Sequence, residues 1–133
     1  MSTVTPADNY IGINVSGASL CAALVSHEGQ VITRREAALG SGTLSAQIAG
    51  LVTELRDAAP GVAAFGLGVP GLVSPETGRV VVSSDLPAVV RADLQTELAR
   101  TTNLPMALVN DANAAAYGEY IAGAGRGSRN MFY

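Results

Sequence analysis

The first third of the chain contains three stretches whose apolar pattern is typical of β-strands. Residues 10–14 alternate apolar residues with small or polar ones, residues 19–26 form a mostly apolar run, and residues 30–37 contain three successive β-branched residues. The turn signal His27-Glu28-Gly29 separates the last two stretches and predicts a hairpin. A glycine-rich break at 40–42 ends the third stretch, so the chain is predicted to begin with three antiparallel strands.

After this break the spacing of the apolar residues changes to that of an amphipathic helix. They recur on one helical face, at Leu44, Ile48, Leu51, Val52 and Leu55. Thr43 or Ser45 is suited to cap the start of this helix, and Ala59-Pro60-Gly61 is expected to end it. We expect the helix to pack on the sheet.

The remaining elements follow from apolar runs and turn signals. Residues 62–69 are almost continuously apolar, which predicts a strand buried on both faces. An inserted segment follows this strand and ends with the loop at residues 83–87. Further elements are predicted in this order: a short strand or edge at 79–82, a helix at 93–103, a strand at 106–109, a helix at 112–121, a basic glycine-rich loop at 123–129 and the start of a strand at 131–133.

This order of elements, βββαβαβα, predicts an α/β fold with a mixed sheet that is antiparallel first and parallel afterwards. It is the order of one ribonuclease H-like lobe, the type also found in actin and hexokinase. In that arrangement the first, fourth and last strands end over the same edge of the sheet. The loops at 14–18, 66–71 and 110–113 are therefore expected to meet there.

The most informative of these loops is the one that carries Asn110 and Asp111, between an apolar strand and an alanine-rich helix. Ligands of open α/β sheets collect outside the carboxyl ends of the strands, and a carboxylate placed there can accept a proton from a bound hydroxyl group. The alternative is that Asn110 or Asp111 only caps the helix, as both residue types often do.

Composition adds limits on partners. The 133 residues correspond to one domain, and 48% of them are hydrophobic whereas only 14% are charged. Such an apolar chain is expected to present faces to another lobe or subunit, so a homo-oligomer or a missing C-terminal lobe is predicted. The net charge of -3 gives no electrostatic footprint for nucleic acid or for an anionic membrane.

Single residues and the termini add little chemistry. The lone Cys21 lies in an apolar run and is predicted to be buried, and the lone His27 is predicted to be a solvated turn residue, so no metal site is expected. No apolar run approaches the roughly 18 residues of a membrane helix. Residues 1–9 are polar without a basic start and are predicted to be a flexible leader rather than a signal peptide, which favours a cytoplasmic location.

Three motifs resemble those of one family. They are Gly-Leu-Gly-Val-Pro-Gly-Leu-Val at 66–73, Asn-Asp-Ala-Asn-Ala-Ala-Ala followed by Tyr-Gly-Glu at 110–119, and Gly-Ala-Gly-Arg-Gly at 123–127. They are similar to motifs of the bacterial ROK family of repressors and sugar kinases, and the resemblance extends over residues 11–133. It covers only the N-terminal lobe of that family, which suggests residues 10–133 as a sugar-binding lobe.

The resemblance implies roles for individual residues. In ROK kinases the aspartate that matches Asp111 is the general base on the phosphorylated sugar hydroxyl, and the asparagine that matches Asn110 binds sugar hydroxyls. Pro70 and Gly71, at the neighbouring strand end, are assigned to the same predicted sugar site. ATP and magnesium are the family's cofactors, and its cysteine-rich zinc motif lies outside this sequence.

The larger departure from the family pattern lies between the first two strands. Family kinases carry Asp-x-Gly-Gly-Thr there for the ATP phosphates, whereas this chain has Asn14, Ser16, Gly17 and Ala18 at the corresponding positions. Asn14 lacks the carboxylate that lies near magnesium, and Ala18 lacks a hydroxyl donor to phosphate. We therefore expect weak or absent kinase activity.

A second departure concerns the choice of sugar. Many family members have Asn-Leu-Pro-Gly-Trp where this chain has Asp85-Leu86-Pro87-Ala88-Val89. The side chain of Asp85 can accept hydrogen bonds from sugar hydroxyls but cannot donate them. The sugar, a hexose or an N-acetylated amino sugar, is left open by the sequence.

Two classes of function remain open. The first is the sugar-recognising lobe of an ATP-dependent sugar kinase, which is expected to be inactive as an isolated chain. The second is a sugar-sensing transcriptional regulator whose DNA-binding helix-turn-helix is not in this sequence, so nucleic acid is expected as a partner only if that segment exists. A ribonuclease H-like nuclease is disfavoured because Asn14 stands where a two-metal site needs a carboxylate.

Overall fold

The computed structural model describes residues 8–40 and 42–132. The elements are β1 (Asn9–Val15), β2 (Ser19–Ser26), β3 (Val31–Ala38), α1 (Leu44–Ala58), β4 (Val62–Val69), β5 (Leu72–Val73), β6 (Val80–Val82), α2 (Ala88–Arg91), α3 (Leu94–Thr102), β7 (Met106–Asn110) and α4 (Asp111–Ala122). The predicted leader falls mainly on residues 1–7, which lie outside the described residues, and Asn9 already belongs to β1.

The main sheet has five strands in the order β3-β2-β1-β4-β7. Strands β1, β2 and β3 pair antiparallel, whereas β1 with β4 and β4 with β7 pair parallel. The parallel pairs arise because α1 and α3 return the chain to the same end of the sheet before β4 and β7 begin. The predicted mixed α/β fold of the actin and hexokinase type is confirmed.

One face of the sheet carries the hydrophobic core. Alternate residues of β1, among them Ile11 and Ile13, are buried against α1 and α3, which supply Ile48, Val52 and Leu98. The Thr43 side chain accepts the Ala46 N–H at 3.2 Å, so the predicted cap of α1 is confirmed. Burial of each large aliphatic side chain contributes about 1.5–3 kcal/mol, which makes this face the main source of stability.

The opposite face of the sheet is open along β1 and β2. Leu20, Ala22 and Leu24 point into the core, so Cys21 has the other parity and its side chain is exposed. The prediction of a buried thiol is therefore wrong, because the apolar run of β2 is covered on one face only, and Cys21 lies on the other. Helix α4 lies beside this open face and has no buried residue.

The insertion after β4 is more structured than predicted. It forms the β5–β6 hairpin and the short helix α2, which at four residues is too short to show a helical period in the sequence. Val80 and Val89 are buried and anchor the insertion to the core. The expected strand at 131–133 is not formed by Met131 and Phe132, and Tyr133 lies outside the described residues.

Within the described ranges, every helix is too short or too polar to traverse a lipid bilayer.

Candidate active site

Three loops meet at the carboxyl ends of β1, β4 and β7, as expected. Gly68 near the end of β4 marks the meeting point: a Cβ built there would lie 3.4 Å from Asp111 Cα and 3.5 Å from Asn14 Oδ1. Asn14 therefore lies beside the start of α4, across a glycine that keeps the space between them open. The edge of the sheet brings one carboxylate and one amide together.

Asn110, and not Asp111, caps helix α4. Its backbone is extended, with φ -65° and ψ 138°, and its Oδ1 accepts the Asn113 N–H at 3.0 Å. Its Nδ2 donates to the Gly71 carbonyl at 2.5 Å, so the same amide ties α4 to the loop after β4. The capping interpretation of the Asn-Asp pair thus holds for its first residue.

Asp111 is the first residue of α4 and is half-buried. Its Oδ1 accepts the Ala112 N–H at 2.8 Å. Among the residues that the structure describes, the other carboxylate oxygen has no hydrogen-bond partner. The partial positive charge at a helix N-terminus suits a carboxylate in this place. Because Asn110 supplies the cap, Asp111 keeps an oxygen that can accept a proton or a hydrogen bond from a ligand.

The loop of residues 83–87, which we call the Asp85 loop, lies against the β1–β2 turn. A Cβ at Gly17 would lie 3.4 Å from the Asp85 carbonyl oxygen, so the two segments are in contact. The Asp85 side chain itself is exposed. Pro70 and Gly71 join this group through Ser83, whose hydroxyl donates to the Pro70 carbonyl at 2.5 Å. The sequence does not single out Ser83, because two serines before Asp-Leu-Pro are the residue types of an ordinary turn.

We call Pro70, Gly71, Asp85, Asn110 and Asp111 the rim. Hydrogen bonds between separate loops hold Gly71 to Asn110 and Pro70 to the Asp85 loop. A cavity of about 480 Å³ opens beside Gly71, Asn110 and Asn113. The structure thus connects the loops that carry the rim residues. Gly71 and Asn110 line this cavity and Asp111 lines a second one, while contacts with sugar remain predictions.

The β1–β2 turn, residues 14–18, is hydrogen-bonded within itself. Ser16 Oγ accepts the Ala18 N–H at 3.3 Å and the Ser19 N–H at 3.0 Å. The Ser16 N–H donates to the Ser19 carbonyl at 2.9 Å. Two backbone amides that could be presented to a phosphate group, those of Ala18 and Ser19, therefore already donate to the side chain of Ser16.

A second cavity, of about 470 Å³, runs along the open face of the sheet. Its lining reaches from Asn14 and Asp111 past Gly66 to Cys21 and Arg34. Among the described residues there is no group of three or more carboxylate, histidine or cysteine side chains that could hold a metal ion. Asp111 and the neutral amide of Asn14 do not fit a resident magnesium ion, which prefers several oxygen ligands including carboxylates.

Comparison with known proteins gives a consistent result. A sequence model of the ROK family matches residues 10–133. The glucokinase of Thermotoga maritima is 34% identical over 128 residues, and the match spans 92% of this chain and 39% of that protein.

Solved structures agree with this match. A ROK family glucokinase from Streptomyces griseus, crystallised with glucose and AMPPNP, superimposes with a TM-score of 0.81 at 28% identity, over 90% of this chain and 38% of that one. A ROK family transcriptional regulator, a homologue of the Escherichia coli MLC protein, gives a TM-score of 0.73 at 19% identity, over 91% of this chain and 33% of that one, which shows a shared fold. The chain thus spans less than two fifths of each of these proteins.

Proposed function

The chain belongs to the ROK family, corresponding to its N-terminal lobe, and from that premise we propose that residues 10–133 form the sugar-recognising lobe of an ATP-dependent sugar kinase. The proposed reaction transfers a phosphoryl group to a hydroxyl of a hexose or an N-acetylated amino sugar. A second lobe completes the cleft and supplies most of the nucleotide site. Because the reaction consumes ATP, we place it in the cytoplasm.

The observation that carries this proposal is the arrangement at the start of α4. Asn110 caps the helix, and Asp111 keeps a carboxylate oxygen at the edge of the sheet where β1, β4 and β7 end. We assign Asp111 as the general base that takes the proton of the attacking sugar hydroxyl. A carboxylate is suited to this role because it is an acceptor without a proton of its own when ionised.

The other rim residues are assigned to sugar binding. Asn110 has a second N–H and a second lone pair beyond its two internal hydrogen bonds, so it can also contact a hydroxyl. The exposed carboxylate of Asp85 accepts from hydroxyls, and Pro70 with Gly71 shapes the wall between them. ATP is expected to bring magnesium on its phosphates, since the residues at the β1–β2 turn do not form a metal site alone.

Two measurements test the proposal. Glucose and N-acetylmannosamine are titrated into the 133-residue chain and followed by NMR, where shifts confined to rim residues are expected. A chimera in which this chain replaces the matching part of the Streptomyces griseus glucokinase is then assayed for sugar-dependent ADP release. The proposal is wrong if neither sugar shifts the rim resonances and the folded chimera releases no ADP.

The second candidate function is a sugar sensor without catalysis, as in a transcriptional regulator. The closed hydrogen bonding of Ser16 and the neutral Asn14 favour it, since both weaken phosphate and metal binding. The two functions differ in one result. A sensor binds sugar at the rim, but its chimera stays inactive even when the β1–β2 turn is restored to the family pattern.

A further inference from the structure

Ser83 is one of two buried polar residues in the described part of the chain, the other being Thr102. The Thr102 hydroxyl serves its own helix end, donating to the Leu98 carbonyl and accepting the Leu104 N–H. Ser83 differs, because its hydroxyl reaches the carbonyl of Pro70, 13 positions away. A buried hydroxyl with a distant partner joins elements that the sequence keeps apart.

The hydroxyl of Ser83 is used in both directions. Its hydrogen is donated to the Pro70 carbonyl at 2.5 Å, and its oxygen accepts the Leu86 N–H at 3.2 Å. One oxygen atom therefore connects the turn after β4 with the Asp85 loop. Removal of a buried partner of this kind leaves the Pro70 carbonyl and the Leu86 N–H without their hydrogen bonds, which is more costly than the loss of an exposed contact.

The next carbonyl along the chain continues the connection. Gly71 accepts the Nδ2 hydrogen bond of Asn110, so successive carbonyls of one turn are held by Ser83 and by Asn110. The turn also lies tight against β6: with φ +139°, Gly71 has no room for a Cβ, which would overlap the Val82 carbonyl oxygen. Ser83 is therefore connected to the start of α4 through two adjacent carbonyls of this turn.

We propose that Ser83 is a positioning residue that fixes the Asp85 loop relative to the Pro70–Gly71 turn, so that sugar affinity depends on a hydroxyl that does not touch the sugar. The sugar part of this inference rests on the proposed function of the rim. The loop-to-loop connection rests only on the hydrogen bonds of Ser83 and on its burial, at 8% relative exposure.

The experiment measures amide hydrogen exchange and glucose affinity on the 133-residue chain. Ser83→Ala is expected to raise the exchange rate of the Leu86 amide about tenfold and to weaken glucose binding about tenfold, the size of one hydrogen bond. Exchange in β4 should stay unchanged, which separates a positioning role from a general loss of stability. Ser84→Ala is the matched control, since Ser84 is the exposed neighbour and should change neither quantity.

Two further variants keep the result decisive. Ser83→Thr retains the hydroxyl, so Leu86 exchange and glucose affinity closer to the wild type than those of Ser83→Ala are expected. Ser83→Cys has a weaker donor in the same place and replaces Ser83→Ala if that variant does not fold. Unchanged Leu86 exchange in Ser83→Ala, or in Ser83→Cys if that replaces it, would overturn the inference, as would an equal loss of glucose affinity in Ser84→Ala.

A wild-type chain that binds no glucose has a separate meaning. That result rejects the proposed function, because the rim then does not recognise the sugar. The connection through Ser83 is still decided by Leu86 exchange and by the amide resonance of Gly71, which is expected to shift in Ser83→Ala and not in Ser84→Ala.

Discussion

The rim and the β1–β2 turn lie at the same edge of the sheet but are hydrogen-bonded in opposite ways. The rim is held by side chains that reach across to other loops: Asn110 bonds to Gly71, and Ser83 of the Asp85 loop bonds to Pro70. In the turn, Ser16 bonds to Ala18 and Ser19, two and three positions further along the chain. The first region is held in place by distant parts of the chain, whereas the second satisfies its own polar groups.

This difference indicates which ligand each region is prepared for. A rim that is fixed before a ligand arrives loses little conformational freedom on binding, which favours affinity. A turn whose amides already bond to Ser16 must give up those bonds before a phosphate can use them. We therefore expect sugar recognition to be retained in this chain more fully than phosphate binding.

The largest expected effect is the loss of the proposed general base, Asp111. In the glucokinase chimera, Asp111→Asn should lower phosphoryl transfer by roughly 100-fold to 10,000-fold, because the amide keeps the shape and removes the basicity. Asp57→Asn, an exposed acid on α1, is the matched control and should leave the rate unchanged. Full activity in the Asp111 variant, measured by ADP release, would show that Asp111 is not the base.

The next largest effect is expected from a substitution at Gly71, the rim residue with the least space around it. Gly71→Ala should destabilise the chain by about 2–4 kcal/mol, because the residue has positive φ and its Cβ would overlap the Val82 carbonyl. Gly50→Ala is the control with the opposite sign. It lies within α1, where a Cβ meets nothing within 4 Å, and should stabilise by about 0.5–1 kcal/mol. Urea unfolding monitored by circular dichroism measures both, and equal values would contradict the packing at Gly71.

A smaller effect, on the rate of phosphoryl transfer, is expected when the β1–β2 turn is changed to the family pattern. Asn14→Asp combined with Ser16→Gly and Ala18→Thr restores the family pattern, frees the amides held by Ser16 and adds a carboxylate. In the chimera we expect about a tenfold rise in the rate with ATP, since one well-placed donor to a reacting oxygen is worth that or more. Glucose affinity should not change, because the rim is untouched. A rise in glucose affinity without a rise in rate would contradict the inference that the rim binds sugar and the β1–β2 turn affects only phosphate.

The smallest effect concerns the open face. Cys21 is exposed and pairs with Asn14 across β1 and β2, so a thiol reagent should label it in the folded chain at about the rate of a free thiol. Labelling that requires denaturant, followed by mass spectrometry, would show that this face is covered.

The sequence alone determined the elements that repeat a simple period. The strands and the two long helices of the core face were predicted within about two residues, because burial on one face imposes alternation on strands and three-to-four spacing on helices. The edge where Asn14, Gly68 and Asp111 meet could also be predicted, since parallel strands must end on the same side. The family motifs added the role expected of Asp111.

Only the tertiary structure decided what each face and each polar group contacts. Cys21 lies in an apolar run, but it is exposed because α1 covers the other face of β2. Asn110 is the cap and Asp111 keeps a carboxylate oxygen without a partner among the described residues only because α4 begins at Asp111. Sequence signals define the start of a helix only to within a residue or two. Ser83 became significant only when β6 and α2 folded the chain so that a hydroxyl could reach a carbonyl 13 positions away, and no local sequence period records such a contact.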